Sequence, residues 1–150
     1  MLFHNILVPI DFSDASKAAL RLAVKIARAG KDSRITLLHI GVSPAMTWSD
    51  MTHYGVAVPE SLVKLHEQMA REQEHMLRKL ANEEIPEDVL WACSLREGFP
   101  PEEVVAEVIA GGNDLIVMGT HGRTGLSRVL LGSVAERVLR DSKVPVLVTR

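Results

Sequence analysis

The sequence predicts an α/β fold: an open, five-stranded parallel sheet with helices on both faces, Rossmann-like in layout. Three observations predict it. Short, continuous apolar runs recur along the chain, and such runs suit strands buried on both faces. Amphipathic segments lie between them, giving the order βαβαβαβαβ, which implies crossover helices and parallel strands. The length of 150 residues suits one cored domain and is short for two, so residues 1–150 are read as a single domain.

The first run, "NILVPI" (Asn5–Ile10), is the first strand. A helix is predicted within Asp11–Gly30. Ser13 or Asp14 can cap it, Ala15, Ala18, Ala19, Leu22, Ile26 and Ala29 keep helical spacing, and Gly30 stands where a stop belongs. "RITLLHI" (Arg34–Ile40) is the second strand. The segment Gly41–Pro59 is the least regular, and a loop of that length in a compact domain is usually functional or mobile. Glu60–Glu84 reads as a long helix, with Leu62, Leu65, Met69, Met76 and Leu80 as its core stripe and charges on the other side. "DVLWACSL" (Asp88–Leu95) is the third strand. Pro100–Gly112 has proline at its start, acids in its first turn and glycine at its end, as a short helix prefers. "DLIVMG" (Asp114–Gly119) is the fourth strand, Leu126–Ser142 the last helix with its approach, and "VPVLVTR" (Val144–Arg150) the fifth strand.

Composition narrows the function. Apolar content of 47% and charged content of 24% are ordinary for a globular chain. A net charge of −2 supplies no basic field, and 4% aromatic residues make a poor stacking platform, so no nucleic-acid partner is expected. No apolar run approaches the eighteen or so residues of a membrane span, and Asp11 interrupts the start that a signal peptide would need. No membrane partner is expected, and the location is read as cytoplasmic. The single Cys93 cannot form an internal disulfide and is read as a buried strand thiol without a redox role.

The segment "VMGTHGRTGLSRVLLGSVAERV" (Val117–Val138) carries the chemistry. Gly119, Gly122, Gly125 and Gly132 lie between a strand and a helix, and no acid occurs from Leu115 through Ala135. Glycine lets the backbone approach an anion, free N–H groups form a nest, and a helix N-terminus adds positive potential. Thr120 and Ser133 offer hydroxyl donors, and Arg123 and Arg128 can screen phosphate. Arg128 reads equally as solvated surface. The segment is not a P-loop, because no Gly-Lys-Ser/Thr follows. It is not a dinucleotide fingerprint either, since the first strand–helix turn, "PIDFSDAS", has no glycine. His39, inside an apolar strand, reads as a satisfied core histidine. His66 and His75 are poorly spaced for a shared metal. No catalytic or metal-ligating residue is assigned.

"GTHGRTGLSRVLLGS" fits Gly-x2-Gly-x9-Gly-Ser/Thr, and with it the chain resembles the nucleotide-binding branch of the universal stress protein family. "NILVPIDFSD", "LLHI", "REGFPPEEVV", "DLIVMGTHGRTG" and "SVAERVLRDSKVPVLVTR" extend the resemblance over nearly the whole chain, Gly41–Pro59 excepted. The resemblance implies strand order 3-2-1-4-5 and ATP, with Mg2+, across the carboxyl ends of the first and fourth strands. Asp11 and the backbone of Ile40 would read adenine, and Pro9 would shape the floor beside the ribose. Met118 and Gly119 would lie against the ribose. Gly122, Arg123, Gly132, Ser133 and Val134 would hold the phosphates. His121 would either touch phosphate or fix the loop. Asp11 also suits a simple helix cap. The resemblance further implies a homodimer through the last strand, Val144–Thr149, and a regulatory protein that switches with its nucleotide and answers to a protein partner not identified by sequence. A slow ATPase or phosphotransferase, and an interaction protein binding AMP or cyclic AMP, are the alternatives.

Overall fold

Each apolar run becomes a strand of one sheet. The computed structural model describes residues 3–30, 32–41, 45–120 and 131–149. Its strands are β1 (Asn5–Pro9), β2 (Arg34–Gly41), β3 (Leu90–Glu97), β4 (Leu115–Gly119) and β5 (Val146–Thr149). Its helices are α1 (Asp14–Ala29), α2 (Ala45–His53), α3 (Glu60–Glu84), α4 (Pro100–Gly111) and α5 (Ser133–Asp141). The strands are parallel in the order β3-β2-β1-β4-β5, as the resemblance implied.

Strand alternation divides the core into two layers. Ile6 and Val8 of β1 pack under α1 and α3, with Ile35 and Leu37 of β2. Leu7 faces the other way, with Leu38, Ile116 and Met118, under Val104 and Val108 of α4 and Ala135 and Val138 of α5. The chain therefore winds outward from β1 over one face and returns to β4 over the other. Pairing of β1 with β4 covers only Ile6–Leu115 and Leu7–Ile116, so these strands part before their carboxyl ends. Such a switch point leaves a crevice where ligands bind in open α/β sheets.

Three expectations need correction. First, α1 turns a different face inward: Ser16, Ala19, Leu20, Ala23, Val24 and Ala27 are its buried residues, while Ala15, Ala18, Leu22 and Ile26 sit half-buried on the rim and Ala29 is exposed. Alanine on every side of this helix obscures its phase, and the larger Leu20 and Val24 decide it. Ser13, not Asp14, is the N-cap, its Oγ accepting the Ser16 N–H at 3.2 Å.

Second, the stripe Leu62, Leu65, Met69 and Met76 is not core: these residues are 41%, 52%, 51% and 43% exposed. Only Leu80 of that set is buried, together with Leu77 and Ala81. A helix of 25 residues runs about 37 Å, against about 27 Å for the eight-residue strands it crosses. The helix therefore outruns the sheet, and packing near its C-terminal end sets its rotation. Its charged side carries the i,i+4 pairs Glu60–Lys64, Glu67–Arg71 and Glu74–Arg78.

Third, Gly41–Pro59 is not irregular throughout, because it contains α2. The Trp48 ring meets His66 of α3 edge-on at 5.3 Å, and His66 Nε2 lies 2.6 Å from Glu97 Oε1. Cys93 is half-buried in β3, and burial pushes its thiol pKa up.

Candidate functional site

A cavity of about 290 Å³ opens where β1 and β4 part. The segments just after β1 and β4, the carboxyl half of β2 and the starts of α1, α4 and α5 line it. Pro9, Asp11, Ile40, Met118, Gly119, Gly132, Ser133 and Val134, all singled out in the sequence, line it. His121, Gly122 and Arg123 lie outside the described residues, as do Gly125 and Arg128.

The β1–α1 turn is held from within. Asp11 Oδ1 accepts the Ser13 backbone N–H at 3.0 Å and also the Ser13 hydroxyl. The carboxylate, half-buried at a strand end, thus has the partners such a position demands. It secures the residue that caps α1, and it borders the cavity at the same time. Phe12, between them, has φ of +65°. Strain of this kind costs about 1–3 kcal/mol and persists only where the surroundings over-determine it. Here the Phe12 ring packs 4.9 Å from that of His39. His39 is buried, and its Nδ1–H donates to the Ile10 carbonyl at 2.7 Å. It is therefore a satisfied histidine that also borders the cavity.

The glycine segment begins and ends at one place. The Gly132 N–H donates to the Thr120 carbonyl at 2.7 Å, and the Thr120 N–H donates to the Thr149 carbonyl at 2.9 Å. The chain leaves β4 and returns to α5 within one hydrogen bond. Gly132 is the N-cap of α5, with no side-chain cap bond, so the first-turn N–H groups lie beside Ser133 at the cavity rim. Gly119 has a separate reason to be glycine: an added Cβ would stand 2.7 Å from the Ala15 carbonyl carbon, so β4 and α1 touch there backbone to backbone.

Sequence reasoning missed the wall made by α4, where Pro100 and Val104 complete the cavity. The signal was present in "REGFPPEEVV", a turn and helix start placed just after a strand's carboxyl end. The lining is largely apolar, with Asp11, Ser16, His39, Thr120 and Ser133 as its polar members. It can hold a flat ring that carries a hydrogen-bonding edge, and an anion can reach the start of α5. Among the described residues no group of three or more His, Cys, Asp or Glu is placed to hold a metal. No helix among them is long and apolar enough to cross a membrane.

The model of the universal stress protein family matches residues 2–150. The chain belongs to the universal stress protein family. It is similar to universal stress protein MJ0531 of Methanocaldococcus jannaschii, with 34% identity over 149 residues that cover 99% of this chain and 83% of that protein. To universal stress protein MJ0577 of the same organism it is 33% identical over 159 residues, covering 100% of this chain and 96% of that one. The solved structure of MJ0577 superposes with a TM-score of 0.78 at 28% identity, covering 99% and 96% of the two chains. A universal stress protein solved in complex with cAMP shares the fold, with a TM-score of 0.61 at 21% identity over 100% and 98% of the chains. The universal stress protein fold therefore spans the described chain, and its switch-point crevice is the cavity above.

Proposed function

We propose that this universal stress protein is a single-domain, cytoplasmic regulatory protein that binds an adenine nucleotide, ATP in the first place, and uses occupancy as a switch. One observation carries the reading. Residues from three strand ends and from both ends of the glycine segment converge on one cavity at the switch point. Asp11 and the Ile40 backbone take the adenine, Pro9 the floor, and Met118 and Gly119 the ribose. Gly122, Arg123, Gly132, Ser133 and Val134 take the phosphates, with His121 beside them. About 290 Å³ is close to the lower end of small-molecule pockets, so the described walls suit the nucleoside and the phosphates extend along the glycine loop. Mg2+ arrives with the triphosphate. Binding rather than turnover is favoured by the lack of a P-loop lysine and of a second acidic motif.

Occupancy shifts the protein only as far as the nucleotide binds one state better than the other. β5 is an edge strand of the sheet, and Leu147 on it and Leu139 on α5 are both exposed. That favours a homodimer in which Val144–Thr149 pairs across a two-fold axis. The compact cavity also supports a second reading, a mononucleotide such as AMP or cyclic AMP, and a universal stress protein of the same fold has been solved with cAMP.

The deciding experiment uses the protein as purified. It is denatured, the precipitate is removed, and the supernatant is analysed for nucleotides by chromatography and mass. ATP near one per chain is expected. AMP or cyclic AMP would establish the second reading, and ADP would point to hydrolysis. An empty supernatant, followed by no heat in a Mg-ATP titration, would refute nucleotide binding.

A further inference from the structure

We propose that Arg96, Glu103 and Glu107 form a clamp that sets the width of the base end of the cavity by fixing the α4 wall to the sheet. None of the three belongs to the glycine motif, and the proposal rests on the nucleotide reading of the cavity.

The α4 wall is Pro100 and Val104, and the wall supplied by β2 is Ile40. Arg96 of β3 is the register partner of Ile40, so the two side chains leave the sheet at the same level and on the same face. From there the guanidinium reaches two successive turns of α4. Its Nε donates to Glu103 Oε2 at 2.6 Å and its Nη1 to Glu107 Oε2 at 3.0 Å. A planar guanidinium gripping two carboxylates fixes direction as well as distance.

Two further features make this more than a surface pair. Glu107 is buried on the inward face of α4, where an apolar residue would ordinarily pack, and a carboxylate there is tolerated only with a cation in place. The turn between β3 and α4 is also built around the clamp. Gly98 has φ of +140°, and an added Cβ would stand 2.8 Å from Glu103 Oε1. The same Gly98 donates its N–H to the Gly41 carbonyl at 3.3 Å, next in the chain to Ile40. Turn, strand end and helix thus form one unit, and the gap between Ile40 and Pro100 depends on it. The phosphate end, at Thr120, Gly132 and Ser133, is built from β4 and α5; α5 packs on α4 through Ala135, Val138 and the Arg137–Glu102 pair, but the bonds of the clamp itself end on Glu103 and Glu107.

The clamp predicts a split in affinity. Two variants test it: Arg96→Met/Glu107→Gln, which removes both grips and leaves no bare carboxylate at position 107, and Glu103→Ala, which removes the shorter grip at the side chain nearer solvent. Each is titrated with ATP and with inorganic triphosphate, as competitors of a fluorescent ATP analogue, and its melting temperature is recorded. ATP should bind about tenfold more weakly to both variants, since small misplacements of a binding wall are costly, while inorganic triphosphate binds as to wild type. Should the double variant fail to fold, Glu103→Ala carries the test. A folded variant with unchanged ATP affinity overturns the clamp, and so does an equal loss for both ligands. A wild-type protein that binds neither ligand instead removes the nucleotide reading, which is seen before any variant is made.

Discussion

Replacing Gly119 with alanine tests the geometry that closes the site. The ideal Cβ at this position stands 2.7 Å from the Ala15 carbonyl carbon, 2.8 Å from its Cβ and 2.9 Å from its oxygen. Comfortable carbon–carbon contact needs about 3.5–4.0 Å. The first turn of α1 and the end of β4 must therefore separate by roughly 0.8 Å or more. Both partners are backbone, so no rotamer change relieves the clash. Overpacking of this kind costs about 1–3 kcal/mol. For a domain of this size, 1 kcal/mol moves the melting temperature by about 2–4 °C, so a fall of about 2–12 °C is expected. Movement of α1 carries Ser13 and Ser16 with it, and Asp11 through its bonds to Ser13, so nucleotide affinity should fall in parallel. Thermal melts of the free protein and titration with ATP read the two effects. A Gly119→Ala protein that melts with wild type would refute the close approach of β4 to α1.

Other substitutions separate the remaining roles. Gly122→Val puts a branched side chain where backbone should meet phosphate; ATP binding should disappear with the melt unchanged, and full binding would remove the phosphate-loop assignment. Asp11→Ala should weaken ATP and also cost about 1 kcal/mol of stability, because the carboxylate holds the α1 cap through Ser13; a stability loss with unaltered affinity would leave Asp11 as a cap alone. Arg21 donates to both Glu84 oxygens, at 2.8 and 2.6 Å, and holds that carboxyl below its ordinary range. A lowered folded-state pKa gives stability that is full above the unfolded value and is lost as pH falls through the folded one. Glu84→Gln should therefore be less stable than wild type near neutral pH, with the gap closing in acid below about pH 4, and a gap independent of pH would contradict the pairing. Leu147→Asp on the β5 edge should turn a sedimenting dimer into a monomer; a dimer that survives would place the interface elsewhere.

The fold was legible because parallel strands buried on both faces leave unbroken apolar runs, and five such runs separated by amphipathic segments admit few arrangements. What misled was helix rotation. In α1 the many alanines made every side look inward, and Leu20 and Val24 settle a phase that spacing alone left ambiguous. In α3 the stripe at Leu62, Leu65, Met69 and Met76 has the period of a buried face, yet it is left exposed. A sequence shows the period of a helix but not which neighbour ends first, and here the sheet ends before the helix does. The same limit hid α4 from the reading of the site. Pro100 and Val104 are ordinary residues that become a wall only where α4 packs on the sheet, its Val104 and Val108 in the core and its Glu103 and Glu107 bonded to Arg96 of the strand just before it.

The glycines illustrate why a motif can be read without its reasons being known. In the sequence, Gly119 and Gly132 look like members of one phosphate-binding set. In the structure, Gly119 is glycine because β4 meets α1 there, a packing demand that exists with or without a ligand. Gly132 instead caps α5 and ties the returning chain to Thr120. One spelling thus joins two devices, one that brings the elements close and one that sets a helix start beside the cavity. Substitution distinguishes them: a packing glycine should lose stability and affinity together, whereas a glycine needed only for phosphate should lose affinity alone. The contrast between Gly119→Ala and Gly122→Val therefore measures how much of the motif is fold and how much is ligand.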